Sequence, residues 1–211
     1  CYKFNYSCPN DNVDVIINIG CVSTTIVVHG NNQELFNREI SIGGHQINLE
    51  IMNLKGIDYK TAEKTKIEHG LSVFDKSDES NDPSSIQIMQ RNIFSELSDE
   101  IRKTLRHYMK SKSGVSYNKF YISGGSSYNI GLIDFLNDNL NVEFETLDPF
   151  KKIDYSKNIK NMSSYSTLIG SVLSHDGNEG RPSSVNKSNI SNSSIFKGLN
   201  TVKKWLLNEQ K

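Results

Sequence analysis

The sequence has few cysteines, few prolines and no excess of charge of either sign. Its 211 residues include 3 cysteines and 4 prolines, and Lys plus Arg and Asp plus Glu both number 24. Cys1, Cys8 and Cys21 have no C-x-x-C spacing, which argues against a disulfide framework and a structural zinc site and suits a reducing compartment. The balanced charge gives no support for a nucleic-acid-binding surface.

Long apolar runs are missing as well. No run approaches the roughly 20 apolar residues of a membrane-spanning helix, and there is no secretory signal. The chain does not begin with Met, and Cys1 and Tyr2 lead almost directly into a core strand. We therefore expect the C-terminal part of a longer protein, or a shortened copy of one. The length suffices for one large domain or two small ones whose hydrophobic core needs no disulfide or structural metal.

Three glycine turns interrupt an alternation of apolar strands and amphipathic helices. They lie at Gly20, at Gly43-Gly44 and at Gly124-Gly125. Asp58 is placed as the N-cap of one helix. The hydrophobic periodicity predicts strands over 13–18, 22–28, 34–40, 118–123 and 142–147, the first three as a meander, and helices over 45–54, 59–68, 86–112, 129–138 and 164–173.

The turn after the first strand carries small hydroxyl side chains next to its glycine. Backbone N–H groups around Gly20, with the hydroxyls of Ser23 and Thr24, can face a phosphate. A hairpin in a buried sheet also needs a glycine turn, so the turn alone leaves both interpretations open. Because another glycine turn follows a strand about 100 residues later, we expect the two loops to meet over one ligand.

Two further features could contact a nucleoside. Glu63 and Lys66 are three residues apart on one helical face, where a carboxylate and an ammonium could hold the hydroxyls of a ribose. A solvated ion pair is the commoner role of this spacing. The backbone of Gly124, Gly125 and Ser126 could lie flat against an adenine, because glycine lets the main chain come close; an ordinary strand-to-helix turn is the alternative.

The end of the chain changes composition twice. Residues 176–194 are polar and have the composition of a flexible linker. An apolar period then returns over 195–211, which predicts an amphipathic helix lying in a membrane interface. Docking on its own domain or on a partner is the alternative. The predicted membrane-binding residues are Ile195, Phe196, Leu199, Val202, Trp205 and Leu206.

In this order, the motifs resemble the second large domain of actin-like ATPases, and within that superfamily most resemble the bacterial cell-division protein FtsA. The resemblance implies an α/β fold, an actin-like (ribonuclease H-like) ATPase domain with an inserted smaller α/β subdomain. It rests on Asn18-Ile-Gly with Ser23-Thr24-Thr25, Ile42-Gly43-Gly44, Ala62-Glu63-Lys64-Thr65-Lys66, Ile122-Ser123-Gly124-Gly125-Ser126 and the amphipathic tail. The implied domains are a large subdomain of residues 1–42 and 118–175, a smaller subdomain of residues 43–117, the linker 176–194 and a membrane-targeting helix over 195–211.

The same resemblance implies ATP as the ligand. It assigns Gly20, Ser23 and Thr24 to the second phosphate loop, Glu63 and Lys66 to the ribose, and Gly124, Gly125 and Ser126 to the adenosine. Asn18 stands where the family has an Asp that helps hold Mg²⁺-bound water, and a neutral amide is a poorer partner for a hard cation. We therefore expect weak nucleotide binding with hydrolysis near nil, and assign no catalytic residue and no metal ligand.

For partners, the resemblance implies the C-terminal peptide of the tubulin-like protein FtsZ, lipids of the inner membrane and self-association into filaments. Such a protein tethers the FtsZ ring at the cytoplasmic face of the inner membrane. Arg91 is the residue predicted to contact FtsZ, with Arg102 and Lys103 as further candidates; a solvated helix face is the alternative for all three.

Two other functions remain open at this stage. One is a PilM-type adaptor of type IV pilus assembly, which shares the glycine loops and the Ala-Glu-x-x-Lys pattern. The other is an actin-like sugar kinase or chaperone ATPase, against which Asn18 counts. The terminal amphipathic helix favours FtsA over the PilM type.

Overall fold

The computed structural model describes residues 1–74, 93–112, 114–153 and 159–175. It divides the chain into two compact units, Cys8–Leu147 and the combination of Cys1–Ser7 with Asp148–Lys211. The predicted linker and terminal helix lie outside the described residues. The predicted division into a large subdomain and a smaller inserted one stays a prediction.

The strands and helices follow one another in the predicted order, except that the short first helix was not predicted. The strands are β1 (Val13–Ile19), β2 (Thr24–His29), β3 (Phe36–Ile40), β4 (Tyr117–Ser123) and β5 (Phe144–Thr146). The helices are α1 (Tyr2–Asn5), α2 (Gly44–Lys55), α3 (Tyr59–His69), α4 (Ile93–Ser111), α5 (Leu132–Leu140) and α6 (Ser166–His175), with 3₁₀ turns at Gly70–Phe74, Gly125–Tyr128 and Met162–Tyr165.

The larger unit is organised on a five-stranded sheet with the order β3-β2-β1-β4-β5. The first three strands form the predicted antiparallel meander, whereas β4 pairs parallel to β1 and β5 pairs parallel to β4. On one face of β1 the alternating side chains are fully buried: Val13, Val15, Ile17 and Ile19. On the other face Asp14 and Ile16 are buried as well, as expected for a central strand covered on both faces. The mixed sheet places the ends of β1 and β4 side by side.

A buried carboxylate accepts hydrogen bonds at a register shift between β1 and β4. The parallel register shifts between Val13 and Val15. Asp14, between them, accepts hydrogen bonds from Asn118 Nδ2 at 2.8 Å and from the backbone N–H of Lys119 at 3.1 Å. Because a buried backbone N–H needs a partner, the side chain takes the place of a ladder bond.

Side chains fix the N-termini of two helices. Asp58 caps α3 as predicted, accepting hydrogen bonds from the backbone N–H groups of Lys60 and Thr61. The carboxylate of Glu50, on α2, accepts the backbone N–H of Ile93 at 3.0 Å and so caps α4 from a neighbouring helix. The buried apolar residues of α4 recur every three to four positions and join the hydrophobic core: Phe94, Leu97, Ile101, Leu105 and Tyr108.

The smaller unit is described over fewer residues. Phe150 and Ile169 form its buried centre, against which Cys1, Tyr165 and Leu173 pack. Asn5, on α1, ties its segments together, since its Nδ2 donates to the Pro149 carbonyl at 2.7 Å and its Oδ1 accepts the backbone N–H of Lys152 at 3.0 Å. Within the described ranges, no helix has the length and apolar character needed to cross a membrane.

Candidate functional site

The glycine turns meet at one backbone carbonyl in the larger unit. The carbonyl oxygen of Gly20 accepts the N–H of Gly44 at 3.0 Å and the hydroxyl of Ser126, also at 3.0 Å. The N–H of Gly20 donates to the Ser23 carbonyl at 2.9 Å and closes the β1–β2 turn. We call Gly20, Gly44 and Ser126 the loop junction. The predicted meeting of two distant loops is therefore observed, whereas a ligand between them stays a prediction.

Two glycines at or beside the junction lie where a Cβ would approach other atoms closely. A Cβ on Gly44 would lie 2.6 Å from Ser126 Oγ. Gly124 has φ +93°, and its Cβ would lie 2.3 Å from the Ile19 carbonyl oxygen. Since L side chains rarely adopt such a φ, only glycine lets the turn after β4 rest on the end of β1 without strain.

A buried ammonium lies against the junction. Lys66 Nζ donates to the Gly44 carbonyl at 3.3 Å and to Glu63 Oε2 at 2.7 Å. The Lys66 side chain is only 7% exposed, whereas that of Glu63 is 43% exposed. The two side chains therefore share one helical face as predicted, with the lysine directed inward and the glutamate reaching solvent. Their contact with a ribose stays a prediction.

A third side chain, Asn48, completes this group. It is fully buried on α2, and its Nδ2 donates to the same Oε2 of Glu63. Burial acts to raise the pKa of Glu63, but the hydrogen bonds from Lys66 and Asn48 and the charge of Lys66 outweigh it and hold the pKa below its ordinary value of 4.5. Glu63 is therefore ionised at neutral pH. We call Asn48, Glu63 and Lys66 the charged side of the junction.

Sequence reasoning missed Asn48, although a signal was present. Gly44, Ile47, Asn48 and Ile51 are the buried positions of α2. Their spacing is that of an apolar helix stripe, so a lone buried amide among them requires a hydrogen-bond partner. That partner, Glu63, could have been sought on the next helix.

The residues predicted at the phosphate loop have partners of their own. Asn18 Oδ1 accepts the hydroxyl of Ser123 at 3.1 Å and lies 2.8 Å from where a Cβ on Gly124 would be. Ser23 Oγ donates to Glu39 on β3, and the buried Thr24 donates to the Ile42 carbonyl at 2.7 Å. The structure brings Asn18 beside the turn after β4, but directs the hydroxyls of Ser23 and Thr24 to protein acceptors. We call these three residues the neutral side.

The remaining predicted site residues are a glycine, two surface cations and a set outside the described ranges. Gly125 is exposed at the start of the 3₁₀ turn, next to Ser126. Arg102 pairs with Asp99 at 2.7 Å, and Lys103 pairs with Glu100 at 2.6 Å. Arg91 and the six predicted membrane-binding residues lie outside the described ranges.

The arrangement suits a polar organic ligand better than a metal ion. Acceptor and donor side by side, as in Glu63 and Lys66, match a hydroxyl pair. Within the described residues, no group of three or more His, Cys, Asp or Glu side chains could hold a metal ion. The position at the end of β1 that faces the other loop is the neutral Asn18, so these residues do not fit a Mg²⁺ site built on protein carboxylates.

Comparison with solved structures confirms the actin-like fold. A chain of the PilM–PilN type IV pilus biogenesis complex is 21% identical, with a TM-score of 0.61, and the match covers 76% of this chain and 45% of that one. MreB5 of Spiroplasma citri bound to AMPPNP is 16% identical with a TM-score of 0.54, covering 78% and 53%. EutJ, an ethanolamine utilization protein from Carboxydothermus hydrogenoformans, is 16% identical with a TM-score of 0.52, covering 75% and 48%.

This chain thus spans about half the length of the proteins it matches. A search of curated protein sequences gave no significant match.

The comparisons correct the choice of family made from the sequence. The profile of the type IV pilus assembly protein PilM matches residues 4–168, and the PilM–PilN structure agrees with it. The prediction of FtsA is wrong, and with it the cell-division role and the FtsZ partner. The glycine loops and the Ala-Glu-x-x-Lys pattern are common to both families, and the choice rested on the terminal helix, which lies outside the match. The chain belongs to the type IV pilus assembly protein PilM family.

Proposed function

We propose that this chain is the nucleotide-binding part of an actin-like adaptor in type IV pilus assembly, and that it binds ATP without hydrolysing it. The family match supports the role in pilus assembly, and the loop junction with its charged side supports ATP as the ligand. The adaptor acts at the cytoplasmic face of the inner membrane, with the predicted helix over 195–211 as its lipid contact.

The observation that best supports the proposed ligand is the buried ammonium of Lys66. Lysine is rarely buried unless its charge is paired. An ammonium has three donors, and the described partners of Lys66, namely Glu63 and the Gly44 carbonyl, take two of them. One donor remains for a ligand, next to a carboxylate that is open to solvent. This is the pair of groups that a ribose diol would use.

The neutral side supports binding without turnover. Phosphoryl transfer needs a metal ion and a positioned water. Asn18 supplies no charge for either, and the hydroxyls of Ser23 and Thr24 have protein acceptors. MreB5, of the same fold, was solved with AMPPNP, and we infer an adenine nucleotide at the corresponding position here.

The partner follows from the family. The PilM in the solved complex is assembled with PilN, and we propose a PilN-type protein as the partner of this one. Co-purification with the PilN protein of the same organism tests this. Retention on an immobilised PilN supports the proposal, and its absence at micromolar concentrations contradicts it for this half-length chain.

Replacing Lys66 tests nucleotide binding. In calorimetric titration with ATP, Lys66→Met is expected to weaken binding at least tenfold, because a hydrogen bond from a charged donor is lost. The matched control is Lys64→Met on the same helix, where the lysine is 74% exposed and pairs with Glu68 at 3.7 Å. Equal dissociation constants for the two variants would contradict the site, as would the absence of ATP binding by the unmodified chain.

A further inference from the structure

Asn48 has an unbalanced set of hydrogen bonds. Its Nδ2 donates to Glu63 Oε2, but its Oδ1 is buried with no hydrogen-bond partner among the described residues. The amide orientation is fixed by chemistry, because rotating it would place Oδ1 against the carboxylate. Asn48 therefore gains one bond and leaves one acceptor unsatisfied.

Such an arrangement is costly as a purely structural device. A buried acceptor without a partner destabilises the folded state, and replacing it with an apolar group of similar shape can be neutral or stabilising. Leucine has the branched shape of asparagine and would match the neighbouring Ile47 and Ile51, which are fully buried. We therefore attribute to the Asn48 amide the role of holding Glu63 in position.

Asn48 and Lys66 together hold Glu63 in one orientation. Both donate to Oε2, so this oxygen faces the protein. The other oxygen, Oε1, is left to accept a hydrogen bond on the exposed side of a carboxylate that is 43% exposed. A flexible glutamate side chain loses conformational entropy when a ligand orders it. Glu63 is already ordered by its two hydrogen bonds, so ligand binding does not incur this loss.

We propose that Asn48 is a positioning residue that fixes Glu63 toward one ribose hydroxyl, and that this makes the site selective for ribonucleotides over deoxyribonucleotides. The inference rests on the proposed ATP binding. A site arranged to bond a hydroxyl rejects an analogue that lacks it, because its buried polar groups are then left unpaired.

The experiment compares ATP with 2′-deoxyATP and 3′-deoxyATP by calorimetric titration. The unmodified chain is expected to bind ATP about tenfold more tightly than at least one of the two analogues. In Asn48→Leu the ratio should fall to about one through weaker ATP binding, with affinity for that analogue unchanged. Thermal stability should be equal or higher, which separates positioning from a structural role.

Controls keep the test decisive. Asn53→Leu is the matched variant, since Asn53 is exposed on the same helix, and it should keep the full ratio. Asn48→Ala replaces Asn48→Leu if leucine does not fit. Absence of ATP binding by the unmodified chain overturns the proposed function and this inference together. ATP binding without discrimination, or discrimination that persists in the Asn48 variants, overturns only this inference.

Discussion

The two sides of the loop junction differ in how they use polar side chains. On the charged side, Asn48 and Lys66 both direct their donors to Glu63, and the carboxylate keeps an exposed surface. On the neutral side, the hydroxyls of Ser23 and Thr24 donate to Glu39 and to the Ile42 carbonyl, and Asn18 carries no charge. The charged side therefore keeps polar groups accessible to the proposed ligand, whereas the described hydrogen bonds of the neutral side are made within the protein.

This difference separates two functions that the actin-like fold can combine. Holding a nucleoside needs fixed donors and acceptors, whereas cleaving a phosphate needs charge to position a metal ion and a water. In the proposed site, the charged side supplies the first set. A protein with this division can use nucleotide as a structural ligand, which stabilises the state that binds it by mass action.

The largest effect is expected at Gly124, where the turn after β4 rests on the end of β1. Gly124→Ala should lower the free energy of unfolding by about 3 kcal/mol or more, because it combines a strained φ with a Cβ against the Ile19 carbonyl. Urea denaturation measures this. Gly114→Ala is the control, since Gly114 has φ +75° but nothing within 4 Å of a Cβ, and it should lose only about 1–2 kcal/mol. Equal losses would show that the contact with β1 is unimportant.

A smaller effect is expected from restoring charge to the neutral side. Asn18→Asp should make ATP binding dependent on Mg²⁺, with about tenfold tighter binding in its presence, because a carboxylate can hold the water shell of the ion. The unmodified chain should bind ATP equally with Mg²⁺ or with a chelator. Asn32→Asp makes the same charge change in an exposed turn and should have no effect. A Mg²⁺ response in the unmodified chain would remove the contrast between the sides.

The smallest effect is expected in the pH dependence of stability. The pKa of Glu63 is lowered, so the contribution of its ionised form to stability is present above the ordinary carboxyl pKa and is lost as the pH falls through the lowered pKa of the folded state. Burial raises the pKa of Glu50 despite its bond from Ile93, and nearby Glu96 adds to the rise. The ionisation of Glu50 therefore costs stability as pH rises above its unfolded pKa.

Unfolding free energies measured from pH 3 to pH 7 check these opposite signs. Glu63→Gln should flatten the acid limb, and Glu50→Gln should remove the loss at higher pH. An acid limb that is unchanged in Glu63→Gln would mean that the charged side does not contribute to stability.

Local patterns in the sequence predicted the elements but not the contacts between them. The meander, the Asp58 cap and the shared face of Glu63 and Lys66 follow from periods of two to four residues. The bonds from Asn48 to Glu63 and from Glu50 to Ile93 join residues 15 and 43 apart, and nothing within one helix specifies them. The partners of Ser23 and Thr24 were missed for the same reason.

The family was misassigned for a different reason. Glycine turns such as those at Gly20, Gly44 and Gly124 are expected in both the FtsA and the PilM family, so they do not separate the two. The apolar period of residues 195–211 favours FtsA, but these residues lie outside the part of the chain that the family profile matches. The fold could therefore be predicted, but the family could not.

The parallel pairing of β1 with β4 also has a consequence for how the protein folds. Asn18 and Ser123 are neighbours in the sheet but 105 residues apart in the chain, whereas β1 and β2 join through a short turn. Long-range closure is slow, so we expect amide protons of β2 to gain protection before those of β4 in pulsed hydrogen exchange. Simultaneous protection would contradict this order. The proposed nucleotide site includes Ser126, which follows β4, so it should form only after β4 has paired with β1.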